Sequence, residues 1–584
     1  MDFMNRSLLR VLFLLCCVSI LVGCSKEEQC ESIRIVHTTD VHGHLFPYDF
    51  VNDRESEGSY ARVATYVRKL KEENQEVLLL DAGDILQGQP TAYYYNYIDT
   101  VGEHPLATFF NQYGYDAITM GNHDIETGHA VYDKFVAQLN IPALGANVLK
   151  EESGEPYFQP FVIVNKGGRR IAVIGTTTPS LTDNLPPHLW SGMKLEDQVE
   201  TVRKYVEELK QSKPDMIIAL IHSGCGNRDG VYYPKAENVG YQMAREVPEL
   251  DLILFGHDHT ELLDSVVHQD GKVTYLLNPG NNALKVSDTE VHFCKQSDGS
   301  TNIKVVPRIV SLVGVEPDPA FMASFAKQRE AVEAFVASPV GRLTKDIDAK
   351  SSFFRPSTFT DLIHQVERFA FPQAEITLTA PLDFNVYLKK GTISIRDLFK
   401  LYRYENSLYL MKLTGNEVRG ALEESYDRWI QTMTGPADGL IQINEDYFGG
   451  QYLPTAHPTY NFDTASGITY TVDVRRPRGE RVEITAVGAA PFDPQRTYLV
   501  AVNSYRGSGG GGILTKGAGI PVEELQRRIV ASTERDLRHY FMLFLQKFDP
   551  YTPTIKAKWS FVPKEWAEPA IQRDSTTLFT HVKQ

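Results

Sequence analysis

Ala117-Ile-Thr-Met-Gly-Asn122-His123-Asp124 is a short apolar run that stops abruptly on an amide, an imidazole and a carboxylate. Four other stretches have the same shape: Ile33-Arg-Ile-Val-His-Thr-Thr-Asp40-Val-His42, Val77-Leu-Leu-Leu-Asp-Ala-Gly-Asp84, Met216-Ile-Ile-Ala-Leu-Ile-His222 and Leu252-Ile-Leu-Phe-Gly-His257-Asp-His259. Apolar runs of this length read as buried strands and the amphipathic stretches between them as helices, which predicts a layered α/β domain. In such a domain ligands gather outside the carboxyl ends of strands, so five ends of this kind converge on one crevice. Carboxylate, imidazole and a single amide suit Zn, Mn, Co or Fe rather than a thiolate-only site. Asp40, His42, Asp84, Asn122, His222, His257 and His259 are more donors than one ion uses. Two divalent ions roughly 3.5–4 Å apart, bridged by a carboxylate, would employ all seven. Singly, each element reads as a turn or a core-edge histidine; as an ordered set at strand ends they leave that explanation little room.

Outward from this core, the α/β pattern runs over 32–315. Glu316-Pro-Asp-Pro319 breaks it, and helical periodicity from Phe321 to Val336 followed by Ser338-Pro-Val-Gly341 predicts a helical linker over 316–341. A second, α+β domain is expected over 342–562, with a Gly-rich loop at Gly507–Gly512, and a polar, loosely held tail over 563–584. A length of 584 residues is too great for one core, which agrees with two domains. The formal charge of −15 argues against a nucleic-acid polymer as partner, because that needs a continuous basic surface. At the N-terminus, Arg6 and Arg10 precede an apolar run from Val11 to Val22 that is too short to span a bilayer. Leu21-Val22-Gly23-Cys24 resembles a bacterial lipoprotein signal, which implies that residues 1–24 direct export and that Cys24 is lipidated; an ordinary cleaved signal peptide is the alternative. The expected location is periplasmic or outer-membrane, the acidic Ser25-Lys26-Glu27-Glu28 pointing weakly to the outer face. Beyond that segment, Cys30, Cys225 and Cys294 are too few and too scattered for a disulfide scaffold.

The motifs D-x-H, GD, GNH[DE], an isolated His and GHxH, filled here at every position, resemble the calcineurin-like metallophosphoesterases. The resemblance implies an α/β/β/α domain that binds two metal ions. Asp40, His42, Asp84 and His259 would hold one ion and Asp84, Asn122, His222 and His257 the other, with Asp84 bridging. It further implies an acidified water as nucleophile and His123 as general acid or transition-state stabiliser. Relatives orient this histidine with an acidic or amide residue three positions on; here that is Glu126, longer than the aspartate of typical 5′-nucleotidases, and Asp124 is its rival.

Gly83-Asp-Ile-Leu-Gln-Gly-Gln-Pro90, Tyr93-Tyr-Tyr95 and Gly145-Ala-Asn-Val148 resemble the 2′,3′-cyclic-nucleotide 2′-phosphodiesterase/3′-nucleotidase branch. In that branch two rings of the second domain sandwich the base. The matching stretches are Tyr402-Arg-Tyr404-Glu-Asn406 and Asn503-Ser-Tyr505-Arg506-Gly507, which makes Tyr404, Asn406 and Tyr505 candidate substrate contacts, although either ring could equally be core. Tyr460-Asn-Phe-Asp463 and Gly467-Ile-Thr-Tyr470 are assigned to fold. Two departures weaken a 5′-nucleotidase reading: Thr379-Ala-Pro-Leu-Asp383 lacks an expected arginine, and Gly511 stands where an aspartate often follows the glycine loop. Arg355, Lys389 and Arg506 are read as surface charges, with a phosphate or ribose contact as the less favoured role. The expected function is nucleotide hydrolysis. The alternatives are a 5′-nucleotidase with or without UDP-sugar hydrolysis, a non-catalytic nucleotide-binding lipoprotein, which predicts a missing ligand where none is missing, and a nuclease, which the acidic balance disfavours.

Overall fold

The computed structural model describes residues 30–580 apart from 232, 297, 299, 384 and 445–454; the expected signal segment over 1–24, with Cys24, lies outside the described residues. Two six-stranded sheets form the first domain. In one, Cys30–Thr38, Val77–Asp81, Ala117–Thr119 and Ala143–Leu144 run parallel, and Lys285–Lys295 and Thr301–Ser311 extend it antiparallel. In the other, Arg169–Thr177, Met216–His222, Leu252–Phe255 and Val273–Asn278 run parallel between antiparallel edges Phe161–Lys166 and Leu262–Val267.

The strands read as continuous apolar runs because both faces are covered, and their alternation sorts residues between two cores. Ile33, Ile35, Leu78, Leu80, Ile218 and Leu254 pack between the sheets. Val77 and Leu79 face the helices on one side, and Ile217, Ala219 and Ile221 meet Val199, Val202 and Val206 of helix Gln198–Lys210 on the other. The result is an α/β/β/α layering. Each fully buried Leu, Ile or Val contributes about 1.5–3 kcal/mol, so the sandwich is a stiff platform for the loops at its strand ends.

One staple was not expected from the cysteine count. Cys30 and Cys294 stand opposite each other in the antiparallel ladder and form a disulfide, while Cys225 is free. They are 264 residues apart in sequence, and only the ladder makes them neighbours.

The linker is helical, Pro319–Ser324 and Ala326–Ala337, with Asp318 capping the first helix through Phe321 N at 2.9 Å. Its Phe321, Phe325, Val332 and Val336 are buried in the first domain's core. The second domain centres on a five-stranded sheet in the order Thr464–Ser466, Ile376–Thr379, Thr497–Asn503, Leu408–Thr414, Ile529–Ser532, with a four-stranded sheet beside it. Helix Gly415–Trp429 covers one face, and Thr358–Ala370 and Leu537–Lys547 cover the other.

The tail departs from expectation. Lys564–Thr580 is a helix whose Ala567, Ala570, Ile571 and Leu578 join the second domain's core. Buried Asp574 accepts from the amides of Leu440 and Ile441 at 2.6 and 2.7 Å. Its charged outward face had masked the apolar stripe. No helix among the described residues is long and apolar enough to cross a membrane.

Candidate metal centre

The five central strands end at Thr38, Asp81, Thr119, His222 and Phe255, and the seven candidate ligands lie at or just beyond those ends. Asp40, His42, Asp84, His257 and His259 take left-handed φ values of 50°, 51°, 58°, 78° and 55°. Non-glycine residues there cost about 1–3 kcal/mol each, which the packed sandwich sustains. The motif glycines allow close approach: a side chain on Gly121 would collide with the Asp84 carboxylate, and one on Gly256 with Asp40 and Thr39.

The side chains converge. Ligand atoms of Asp40, His42, Asp84 and His259 all lie within 4.8 Å of one another. His42 Nε2 faces His259 Nε2 at 3.0 Å, and His259 Nε2 lies 3.3 Å from Asp40 Oδ1. Across Asp84, His222 Nε2 stands 3.2 Å from Asp84 Oδ2 and 3.0 Å from Asn122 Oδ1, and His257 Nδ1 is 2.9 Å from the same amide oxygen. Ring nitrogens and carboxylate oxygens brought this close together form a donor set that fits a divalent cation. Burial pushes His42 down to about 4, so its ring is neutral with a lone pair to offer. Burial opposes a charge on His222 too, but Asp84 outweighs it and raises the ring to about 9; the field that holds that proton would equally attract a cation.

His123 and its two rival partners separate cleanly. His123 Nδ1 meets Glu126 Oε2 at 2.5 Å, so Glu126 orients the imidazole. Asp124 is fully buried and accepts from the amides of Gly121, Asp84, Ile85 and Leu86 at 2.8–2.9 Å. It ties the Asp84 loop to the Asn122 loop and does not touch His123 as a catalytic partner. Burial opposes protonation of His123, but Asp84 and Glu126 raise it to about 10.

A cavity of about 660 Å³ joins this centre to the second domain. Asn122, His123, Glu126, Glu237 and His257 wall one end; Tyr404, Asn406, Tyr460, Asn503 and Tyr505 wall the other. Tyr460 sits edge-on between the two expected rings, 6.0 Å from Tyr404 and 6.1 Å from Tyr505, near-perpendicular to both. It had been assigned to fold; its signal was present in the Tyr460-Asn-Phe-Asp463 stretch but carried no chemistry by itself. Asn406 and Asn503 both donate to the Tyr402 hydroxyl, at 3.1 and 3.2 Å, which fixes the strand ends carrying the rings.

Arg506 is not a surface charge. It is buried, bound to Asp463 through Nε at 2.6 Å and Nη2 at 3.0 Å, and to the carbonyls of Gly510 and Tyr460. Arg355 pairs with Glu568 on the surface and Lys389 is exposed; neither lines the cavity. Arg535, over the Tyr97 ring at 5.6 Å, is the arginine in the cavity wall among the described residues. Gly511 occupies the wall at one departure position; at the other, Asp383 stands where the arginine was expected and pairs with Arg403, while its neighbour Leu382 lines the wall. A side chain on Gly511, at φ 69°, would strike Asn461 and Arg506.

The domains meet beside the cavity. Tyr93 donates to Asp536 at 3.1 Å and Tyr97 to Glu405 at 3.3 Å, while Arg538 pairs with both carboxylates at 2.9 Å. Burial, with Asp536 and Glu126 nearby, raises Glu405 to about 7 even though Arg538 opposes it.

Residues 33–261 match the calcineurin-like phosphoesterase family and residues 339–516 the 5′-nucleotidase C-terminal domain. The chain therefore belongs to the calcineurin-like phosphoesterases that carry a 5′-nucleotidase C-terminal domain, a class of metal-dependent phosphoester hydrolases. More particularly, it is 25% identical to a 2′,3′-cyclic-nucleotide 2′-phosphodiesterase/3′-nucleotidase of Haemophilus influenzae, over 92% of this chain and 89% of that one. It is also 25% identical to a Yersinia enterocolitica protein of the same name, over 82% and 81%. A solved Staphylococcus aureus structure, provisionally named a 5′-nucleotidase, superposes with a TM-score of 0.76 at 20% identity, over 91% of this chain and 99% of that one, a likeness of fold.

Proposed function

We propose that this chain hydrolyses nucleotide phosphoesters at a pair of divalent cations, acting as a 2′,3′-cyclic-nucleotide 2′-phosphodiesterase/3′-nucleotidase, with 5′-nucleotidase action as the second reading. The observation that carries it is one cavity with three aromatic rings at one end and, at the other, His123 with Asn122 and His257 of the converging ligand set. Asp383 in place of the expected arginine, and Gly511, favour the first reading over the second.

Asp40, His42, Asp84 and His259 would hold one ion, and Asp84, Asn122, His222 and His257 the other. Divalent cations there acidify a water and neutralise phosphoryl oxygens. The rest falls to the chain's own groups. Glu126 holds His123 Nδ1, which leaves Nε2 to face the reacting phosphate, and the surrounding carboxylates keep the ring protonated, ready to give a proton to the leaving ribose oxygen. Tyr404 and Tyr505 stack the base, worth about 1–3 kcal/mol per base and tolerant of its identity. Tyr460 closes the space between them. Arg535 is the better-placed contact for phosphate or ribose.

The test is a substrate panel of 2′,3′-cyclic, 3′- and 5′-nucleotides and a UDP-sugar, with Mn²⁺, Co²⁺ or Zn²⁺. His123→Ala is expected to lower kcat about 10²–10⁴-fold while nucleotide binding persists. Full turnover by that variant would remove His123 from the chemistry, and a wild-type chain that cleaves none of the panel would sink the assignment.

A further inference from the structure

The four histidine rings of the metal centre each turn one nitrogen inward and one outward, and the outward partners differ. His42 Nδ1 meets the Gln87 carbonyl at 3.0 Å, His222 Nδ1 the Ala82 carbonyl at 2.8 Å, and His259 Nδ1 the Asn281 amide at 3.1 Å. All three partners are neutral. His257 is turned the other way, with Nδ1 toward Asn122 and Nε2 outward onto the carboxylate of Glu237 at 2.9 Å.

The charge of the ligands is uneven in the same place. One half of the centre has Asp40 and Asp84; the other shares Asp84 and otherwise offers an uncharged amide and two rings. We infer that Glu237 is a positioning residue that supplies the missing carboxylate charge to the Asn122 half, through His257, and locks that ring with Nδ1 inward. A histidine whose outer N–H is given to a carboxylate is both fixed in tautomer and made a stronger donor.

The surroundings of Glu237 support this role. Its carbonyl accepts from Ser223 Oγ at 2.7 Å and Thr178 Oγ1 at 3.2 Å, and the next side chain, Asn238, accepts from Gly224 N at 3.0 Å. Ser223 directly follows the ligand His222, so the carboxylate is carried by a backbone pinned to the same strand end as the site it serves. Its side chain is 49% exposed and lines the cavity, so it is not needed to fill a core.

The inference rests on the two-cation reading, and the experiment separates the two. The metal-stripped full chain is titrated with Mn²⁺ by calorimetry, as wild type, Glu237→Gln and Glu237→Ala. Glu237→Gln keeps the shape and removes the charge. It is expected to weaken one of two binding events about 10–100-fold and leave the other unchanged, with Glu237→Ala at least as severe. Two events of unaltered affinity in Glu237→Gln would overturn the inference alone, as would an equal loss at both sites, which a general loosening of the loop produces. A wild-type chain that binds a single Mn²⁺ would overturn it together with the reading beneath it.

Discussion

Replacing Arg506 with Leu would remove the guanidinium that joins the Tyr460 stretch to the glycine loop. Arg506 and Asp463 have side chains 2% and 4% exposed, so solvent screens their pairing little. Breaking a buried pair by removing one partner costs about 3–5 kcal/mol, because the remaining charge is left unpaired. The freed carbonyls of Gly510 and Tyr460 add to this, at roughly 1 kcal/mol or more each if water does not reach them. A loss of about 4–6 kcal/mol is therefore expected, or roughly 8–24 °C in Tm for a domain of this size. Tryptophan fluorescence reports it directly: Trp429 is buried and stacked between Tyr426 and Phe462, at 5.2 Å from each, in the same domain. The double variant Arg506→Leu/Asp463→Leu, which leaves neither charge, should cost clearly less than the two single variants summed, with a coupling energy of about 2–3 kcal/mol. A single-variant cost below about 1 kcal/mol, or two effects that simply add, would refute the claim that this pair is an internal clamp.

Glu405 predicts a pH effect. Its folded pKa, about 7, lies above the ordinary 4.5, so between these values the folded state holds the proton more tightly and stability falls as pH rises, by at most about 3 kcal/mol. Glu405→Gln should flatten that fall in urea titrations from pH 4.5 to 8; an unchanged slope would assign it to other groups. For the proposed lipid anchor, Cys24→Ala should abolish incorporation of labelled fatty acid and release the chain from membranes, whereas retained label would favour another attachment.

The first domain was legible because its strands are buried on both faces and each ends in donors, so one pattern encoded both the layering and the centre. Asp40 through His259 could be read off in order. The Cys30–Cys294 bond could not, since pairing register is absent from linear spacing. Glu126 and Asp124 were indistinguishable as text, and only the turn of the short helix Asn122–Ile125 sends one carboxylate to the ring and the other to four backbone amides. In the second domain aromatics are too abundant to single out Tyr460, and an arginine beside a glycine loop looks alike whether it meets substrate or Asp463. The Lys564–Thr580 helix was hidden because its fully buried apolar stripe is narrow, Ala567, Ala570, Ile571 and Leu578 among charged and polar neighbours.

The left-handed backbone at Asp40, His42, Asp84, His257 and His259 lies at or just past the ends of strands packed on both faces. Such conformations cost about 1–3 kcal/mol each, so the geometry of the centre is only as firm as the packing under it, and core substitutions far from the donors are expected to scatter them.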